Sequence, residues 1–272
     1  MKRKVLTSVI VFLILMSWVT PVFAISYGTF DGVDHPFVGS MVLRVPNEGV
    51  YQWCSGTLIA PKVFMTASHC TIGVDEYLAA NPGYELLITF DPTITSTSTY
   101  YTVSQWVTNP AYIAHRYGES DPGDVAVALL AEAPTGITPA HLPTLGLLDQ
   151  LKDEHVLNQT LFTAVGYGTI RVTNRTGWQG ILDNMDRNKV DQEFLSLTDA
   201  WVTFSMNLAT GNGGTCYGDS GGPHFLHNNG VETTVVVAVT VTGDANCKAT
   251  DKDYRVDTPQ AREFLGQYVT LP

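Results

Sequence analysis

The segment Cys216–Pro223, which reads CYGDSGGP, places a single serine between glycines and directly after an aspartate. A serine hydroxyl is a weak nucleophile. It reacts only when a base lies within hydrogen-bond reach and a third group orients that base. A glycine-rich loop can also be purely structural. The segment therefore indicates chemistry only if the chain also supplies a suitable histidine and a buried carboxylate.

One of the seven histidines stands apart from the others. His69 ends the apolar run VFMTAS and is followed by Cys70, so a disulfide would hold it at the end of a strand. It is the candidate base. The other six lie in polar connections or beside turns and strand edges, where a surface or hydrogen-bonded histidine is the usual interpretation: His35, His115, His141, His155, His224 and His227.

The candidate carboxylate is Asp124, which opens the apolar run VAVALL. An acid at this point is either a turn residue or a buried acceptor, and an aspartate after Gly123 is also ordinary turn chemistry. Asp121 lies three residues earlier, but it precedes Pro122 and is expected to be exposed. Asp124 is therefore the better candidate for orienting a histidine.

Short runs rich in Val, Thr, Ile and Tyr recur between Gly, Pro, Asn and Asp, a pattern that favours strands. Examples are FVGSMVLRV, YELLITF, YYTVSQWV, DVAVALL, TLFTAVGYG, AWVTFSM and TTVVVAVTV. Regular short strands predict a sandwich or barrels. We expect a short helical turn at 68–71 and a C-terminal helix that begins at Thr258 and Pro259. The polar span from Arg171 to Asp199 is expected to be rich in loops.

The first 24 residues have the three parts of a secretory signal peptide. They are the basic start MKRK, the apolar run VLTSVIVFLILMSWV, and PVFA with small residues at Val22 and Ala24. A membrane anchor is the alternative, but the apolar run is shorter than the ~20 residues that span a bilayer. We expect cleavage after Ala24 and a secreted protein, extracellular or periplasmic, with no membrane segment in its mature form.

The 272-residue chain has a formal net charge of −11, which argues against nucleic acid as a partner because phosphates require a basic face. Its length fits a single all-β domain. Four cysteines in an exported chain predict disulfides with three connectivities, and sequence separation favours Cys54 with Cys70 and Cys216 with Cys247. None has the short spacing of a zinc site, and we predict no metal and no cofactor.

Three motifs in the order His, Asp, Ser resemble the trypsin/chymotrypsin family of serine endopeptidases: LIAPKVFMTASHC, GDVAVALL and CYGDSGGP. Subtilisin-like enzymes and α/β-hydrolases have other orders. Further similarity covers YGTFDGVDHPFVGSM, VGYG and the final YRVDTPQAREFL. The resemblance extends over nearly all of residues 25–272 and is weakest at about 171–211.

The resemblance implies an all-β fold of two six-stranded antiparallel Greek-key β-barrels with a C-terminal α-helix. The first barrel would cover about residues 25–145, the second about 146–257, and the closing helix about 258–269. The active site would lie in the cleft between the barrels.

The same resemblance implies a role for each candidate residue. Ser220 would attack the substrate carbonyl, His69 would accept its proton, and Asp124 would orient the imidazole. The backbone N–H groups of Gly218 and Ser220 would form the oxyanion hole. The disulfides Cys54–Cys70 and Cys216–Cys247 would hold the histidine and the serine loop in place.

In this family the aspartate before the serine, here Asp219, pairs with the N-terminal amine of the mature enzyme. The predicted signal cleavage falls just before Ile25. Our hypothesis is that signal cleavage itself creates this amine, without a propeptide.

Gly214, six residues before the serine, would lie at the base of the primary specificity pocket, next to Thr215. It is not the aspartate of trypsin-like pockets, so cleavage after Lys or Arg is not predicted. Gly243 would leave the pocket mouth open, which favours a large apolar or aromatic side chain. Asp251 or Lys252 would change this preference if either side chain entered the pocket.

We therefore expect a serine endopeptidase that acts on polypeptide substrates, with protein inhibitors as further candidate partners, and a monomer. The alternative is an inactive homologue that binds or regulates, but all three candidate catalytic residues are present. A serine esterase on another fold is disfavoured. The chain after Ser220 continues as the strand-like PHFL rather than the helix that follows a G-x-S-x-G elbow.

Overall fold

The computed structural model describes residues 25–112, 121–171 and 181–272, so the proposed signal peptide lies outside the described residues. Strand β1 (Thr29–Phe30) comes first. Six strands then form a closed antiparallel barrel: β2 (Val38–Val45), β3 (Gly49–Ala60), β4 (Val63–Thr66), β5 (Glu85–Thr89), β6 (Tyr101–Thr108) and β7 (Ala126–Leu130). Helix α1 (Ser68–Ala80) connects β4 to β5.

The second half of the chain forms another six-stranded barrel. Its strands are β8 (Leu161–Gly166), β11 (Asn188–Leu197), β12 (Trp201–Ser205), β13 (Pro223–Asn228), β14 (Val231–Gly243) and β15 (Thr250–Arg255). A small ladder joins β9 (Ile170–Arg171) to β10 (Ile181–Leu182). Helix α2 (Leu147–Asp153) precedes this barrel, helix α3 (Pro259–Leu265) follows it, and 3₁₀ turns cover Leu157–Gln159 and Leu208–Thr210.

The two barrels have the same strand order. The first runs β2-β3-β4-β7-β6-β5, and β5 closes it by pairing with β2. The second runs β8-β11-β12-β15-β14-β13, and β13 closes it by pairing with β8. In both, the third strand is followed around the barrel by the sixth, which is a Greek-key arrangement. The predicted all-β fold of two six-stranded barrels is confirmed.

Contacts made by segments near both ends of the chain hold the two barrels together. Strand β1 precedes the first barrel but pairs with β11 of the second, with Thr29 opposite Lys189. One hydrophobic cluster contains buried side chains of both barrels and of α3, including Phe64, Phe225 and Phe264. Because both barrels bury apolar surface in this cluster, their relative position is fixed by the core.

For the described part of the span from Arg171 to Asp199, the expectation of a loop-rich segment is wrong; residues 172–180 lie outside the described residues. This span contains β11, a ten-residue strand that pairs with β8 and then with β12. The strand was hidden in the sequence because its buried positions include the polar residues Asn188 and Gln192, so the apolar alternation of a half-buried strand is missing. Gln192 instead donates from Nε2 to the buried carboxylate of Asp251, at 2.9 Å.

Helix α1 is longer than the predicted turn at 68–71, since it runs for 13 residues. Cys70 and Val74, four residues apart, lie buried on its inner face, as helical spacing requires. Helix α3 begins as predicted: Thr258 accepts a hydrogen bond from the Ala261 amide at 3.2 Å. Within the described ranges, no helix is long and apolar enough to cross a membrane.

Candidate active site

His69 and Asp124 lie together at the edge of the first barrel. His69 is the second residue of α1, and its Nδ1 lies 2.9 Å from Oδ2 of Asp124. The backbone amide of His69 donates to Oδ1 of the same carboxylate at 3.0 Å. Asp124 is completely buried, whereas the His69 side chain is 21% exposed. A bidentate contact of this kind fixes the ring orientation and leaves Nε2 directed away from the carboxylate.

The first turn of α1 also holds the backbone on both sides of Asp124. The Ser68 hydroxyl lies within hydrogen-bond distance of two carbonyl oxygens, those of Val125 at 2.9 Å and Gly123 at 3.3 Å. These contacts keep the backbone around Asp124 in place, so that an acidic residue can lie buried directly before β7. The carboxylate and the histidine are positioned by one junction between a strand and a helix.

Ser220 comes from the second barrel and borders the same cavity as His69. This cavity has a volume of about 450 Å³, and its other lining residues lie on β14 and in the loops around residues 215–217 and 244–247. The Ser220 carbonyl accepts a hydrogen bond from the Ser55 amide at 2.9 Å. The serine, the histidine and the buried carboxylate therefore meet at one cleft between the barrels.

Gly218 has the left-handed φ of +95°, which favours glycine. A Cβ at this position would lie 2.4 Å from Oε1 of Gln52. The Gly218 carbonyl accepts from Nε2 of Gln52 at 2.8 Å and from the Ser55 hydroxyl at 3.0 Å. Among the described residues, the amides of Gly218 and Ser220 donate to no acceptor. Both N–H groups are thus available to a substrate oxygen.

Gln52 and Ser55 were not identified from the sequence. Both lie on β3 of the first barrel, 166 and 163 residues before Gly218, whose loop they hold. Ser55 also accepts from the Tyr167 amide at 3.0 Å, so one hydroxyl joins three segments. Neither residue belongs to a recognisable motif, and only the assembled barrels reveal the contact.

Asp219 and Ile25 are both completely buried. The Asp219 carboxylate accepts from the amides of Gly168 at 2.7 Å and Cys216 at 2.9 Å. Burial raises its pKa to about 7, and these two amides only partly oppose the shift. Ile25 is followed by Ser26, whose carbonyl accepts from the Gly214 amide at 3.0 Å. The N-terminal residues therefore pack against the loop that leads to Asp219.

Thr215 and Gly243 line the cavity beside Ser220. Gly214, expected at the base of the pocket, is not among the lining residues, and a Cβ there would be 2.4 Å from Cγ of Met206. Asp251 is buried, and its Oδ1 accepts from the Thr215 hydroxyl at 2.6 Å. Nζ of Lys252 lies over the Trp201 ring, 4.1 Å from its centre. Neither Asp251 nor Lys252 lines the cavity.

Both disulfides join segments that border the cleft. Cys54 on β3 is bonded to Cys70 on α1, directly after His69. Cys216 is bonded to Cys247 across the cavity wall. These two bonds account for all four cysteines of the chain.

Apart from His69 and Asp124, three groups of the described residues combine a histidine with carboxylates: His224 with Asp251 and Asp253, His227 with Asp191 and Glu232, and His35 with Asp31 and Glu232. In the first, Nε2 of His224 lies 3.3 Å from Oδ2 of Asp253, and both residues are completely buried. Burial raises the pKa of Asp253 to about 7. In the second, the Thr163 hydroxyl bridges His227 and Asp191 at 2.7 and 2.8 Å. Direct contacts thus hold each cluster together.

The two barrels and the cleft between them define a chymotrypsin-like fold. The family model described as Trypsin matches residues 29–264. Brachyurin of Leptuca pugilator is 33% identical over 216 residues, which cover 70% of this chain and 81% of that protein. A trypsin of Saccharopolyspora erythraea is 29% identical over 208 residues, 74% of this chain and 81% of that protein.

The fold is also shared with a solved structure titled HL collagenase. Its TM-score is 0.62 at 16% identity, over 89% of this chain and 96% of that one. Since the family match covers most of the sequence, the chain belongs to the trypsin family of serine proteases.

Proposed function

We propose that this protein is a serine endopeptidase in which Ser220 is the nucleophile and His69 is the general base. The observation that carries the proposal is the double contact of the buried Asp124 carboxylate with His69, through Nδ1 and through the backbone amide. It fixes the tautomer with a proton on Nδ1 and leaves Nε2 to accept the proton of Ser220.

The reaction is an acyl transfer in two halves. Oγ of Ser220 attacks the peptide carbonyl carbon while His69 takes the hydroxyl proton, and the proton then goes to the leaving amine as the C–N bond breaks. Water, deprotonated by His69, hydrolyses the acyl-enzyme ester and restores the serine. Asp124 holds the ring in position and stabilises the imidazolium.

The amides of Gly218 and Ser220 bind the oxyanion that forms in each half. Such donors stabilise the transition state by ~3 to 4 kcal/mol each when they are held in place before the reaction. The contacts of Gln52 and Ser55 with the Gly218 carbonyl support this role, because they fix the loop that carries both amides.

We further propose that the pocket accepts an apolar or aromatic P1 side chain. Asp251 does not line the cavity, and its oxygens are engaged by Thr215 and Gln192. Asp244 does line the cavity, but its carboxylate already accepts hydrogen bonds from four backbone amides. Both carboxylates therefore have partners within the protein, which does not favour a P1 lysine or arginine. Gly243 presents no side chain at the cavity wall.

The protein is proposed to act outside the cytoplasm after removal of residues 1–24. Two disulfides support this location, since such bonds persist in oxidising compartments. The new amine of Ile25 would then neutralise Asp219, which otherwise places an acid in a fully buried site.

The direct test is covalent labelling with a serine-directed phosphonylating reagent, followed by intact-mass measurement and peptide mapping. We expect one label per folded chain, on Ser220, and none on the Ser220→Ala variant. Hydrolysis of both a peptide amide and an ester should accompany labelling. A folded, disulfide-bonded chain that starts at Ile25 and takes no label would overturn the proposal and favour an inactive homologue.

A further inference from the structure

One wall of the cavity is formed by residues 244–250, which we call the outer wall. It begins after Gly243 at the end of β14 and leads into β15. The outer wall supplies Asp244, Ala245 and Cys247 to the cavity lining, opposite Thr215 and Tyr217. It contains no helix or strand before Thr250, and one backbone hydrogen bond, from the Asp244 amide to the Thr250 carbonyl at 3.1 Å, joins its two ends.

Five consecutive backbone amides of the outer wall point at a single residue, Asp244. Its Oδ1 accepts from the amides of Lys248 at 2.9 Å, Ala249 at 2.6 Å and Thr250 at 3.3 Å. Its Oδ2 accepts from Asn246 at 3.2 Å, and its carbonyl accepts from Cys247 at 2.9 Å.

The outer wall has a conformation that needs such support. Cys247 has a φ of +52°, in the left-handed region that costs a residue with a Cβ about 1 kcal/mol or more. The Asp244 carboxyl is well suited to hold it. Burial opposes its ionisation, but the four backbone donors outweigh burial and hold its pKa below the usual range.

The outer wall is also joined to the loop that carries Ser220. The Tyr217 hydroxyl donates to the Ala245 carbonyl at 3.0 Å, and Cys216 is bonded to Cys247. The Asn246 carbonyl also accepts from Nη1 of Arg171, a completely buried residue, at 2.8 Å. A change in the shape of the outer wall therefore changes the width of the pocket beside Ser220.

We propose that Asp244 is a positioning residue for substrate selection: its carboxylate sets the shape of the outer wall, and the outer wall decides which P1 side chains fit. The proposal rests on the proposed peptidase function. Asp244 takes no part in bond making, and its effect reaches the substrate through the wall. Substrates with a side chain in the pocket depend on it, and substrates with glycine at P1 do not.

The test compares Asp244→Ala and Asp244→Asn with wild type on peptide anilides that differ only at P1, from phenylalanine through alanine to glycine. For Asp244→Ala we expect kcat/KM to fall about tenfold or more for phenylalanine, mainly through KM, and less than about twofold for glycine. Asparagine keeps one acceptor oxygen, so Asp244→Asn should lie between wild type and alanine. Asp153→Ala, which removes an exposed acid on α2, is the matched control and should behave as wild type.

A second readout does not depend on activity. In the wild-type protein the amides of residues 246–250 should be protected from hydrogen exchange. In Asp244→Ala they should exchange about tenfold faster or more, with no change in the barrel strands. If Asp244→Ala does not fold, Asp244→Asn allows the same comparison. The loss of protection should then be greatest at the Asn246 amide, because the Oδ2 atom of residue 244 that accepts its hydrogen bond is replaced by an NH₂ group.

Equal losses for phenylalanine and glycine substrates would overturn the proposal, because Asp244 would then support the whole catalytic loop. Unchanged selectivity with unchanged exchange would overturn it as well. Failure of the proposed function gives a different result: wild type would hydrolyse none of the anilides, while the exchange measurement would still report whether Asp244 organises the wall.

Discussion

Retaining one extra residue before Ile25 should weaken folding at neutral pH and have little effect in acid. The reason is Asp219, which is completely buried and receives only two backbone hydrogen bonds, from Gly168 and Cys216. Burial raises the pKa of its carboxyl from 3.8 to about 7. When the residue before Ile25 is Ala24, the nitrogen of Ile25 is part of a peptide bond and offers Asp219 no positive charge.

The size of the effect follows from the shift in pKa. A folded-state pKa above the unfolded value means that the folded chain binds the proton more tightly, so stability falls as the pH rises from about 4 to about 7. With about 1.4 kcal/mol per pKa unit, the loss is about 1 kcal/mol at pH 4.5 and about 4 kcal/mol at pH 7.5. A free amine, which is largely protonated below pH ~8, would compensate the ionised carboxylate.

The assay is urea unfolding of two chains that both carry Ser220→Ala, which removes self-cleavage. One chain begins at Ile25 and the other at Ala24. We expect the chain that begins at Ile25 to be more stable by up to about 4 kcal/mol at pH 7.5, and the gap to shrink to about 1 kcal/mol or less at pH 4.5.

The control is Asp219→Asn in both chains, which removes the ionisable group and should close the gap at every pH. The reasoning is refuted if the two chains with Asp219 lose stability in parallel between pH 4.5 and 7.5. Such a result would mean that the amine of Ile25 does not reach the carboxylate, and that Asp219 remains unpaired after cleavage.

Three further predictions concern other buried contacts. Asp124→Asn should lower kcat on the order of 10⁴-fold with folding intact, since the amide no longer favours the Nδ1-protonated ring. Replacing Cys216 and Cys247 by alanine should lower the free energy of unfolding by about 2 to 4 kcal/mol and abolish hydrolysis. The ring nitrogens of His35 form hydrogen bonds with Asp31 and Glu232. Burial lowers the pKa of His35, but these two carboxylates outweigh burial and raise it to about 9. The protonated histidine should therefore contribute about 3 kcal/mol to the free energy of unfolding below pH 6.5. This contribution should be lost as the pH rises from 6.5 through 9.

Each of these has its own measurement. Steady-state kinetics on a peptide amide tests Asp124→Asn, with Asp153→Asn as the exposed control, and a kcat within tenfold of wild type would contradict the prediction. Thermal unfolding with parallel activity assays tests the cysteine pair. For His35, the His35→Gln variant should show a flat stability between pH 7 and 9.5, and an unchanged slope would remove the histidine from the explanation.

The fold could be predicted because its signals are local. The strands β2, β5, β6 and β7 have continuous or alternating apolar runs with turn residues between them, and these runs lie close to the observed bounds. Strand β11 could not be predicted, because Gln192 at a buried position is explained only by its contact with Asp251, 59 residues away. A polar residue whose partner is distant has no local sequence pattern.

The residues of the candidate site also fall into those that a sequence motif marks and those that only the folded structure reveals. His69, Asp124 and Ser220 each lie in a recognisable motif, so the sequence was sufficient to select them. Gln52 and Ser55 act on a loop more than 160 residues away in the chain, and no motif marks them. The organisation of the outer wall by Asp244 was likewise invisible, because an aspartate followed by Ala245 and Asn246 resembles any polar turn.

The contact of Ser55 and Gln52 with the serine loop has a consequence for biosynthesis. The first barrel supplies His69 and Asp124 and fixes the Gly218 carbonyl, whereas the second supplies Ser220. A nascent or half-folded chain with only one barrel complete thus has neither the His69–Asp124 pair beside Ser220 nor a fixed Gly218 loop. If the proposed function holds, activity should therefore appear only after both barrels have folded and docked.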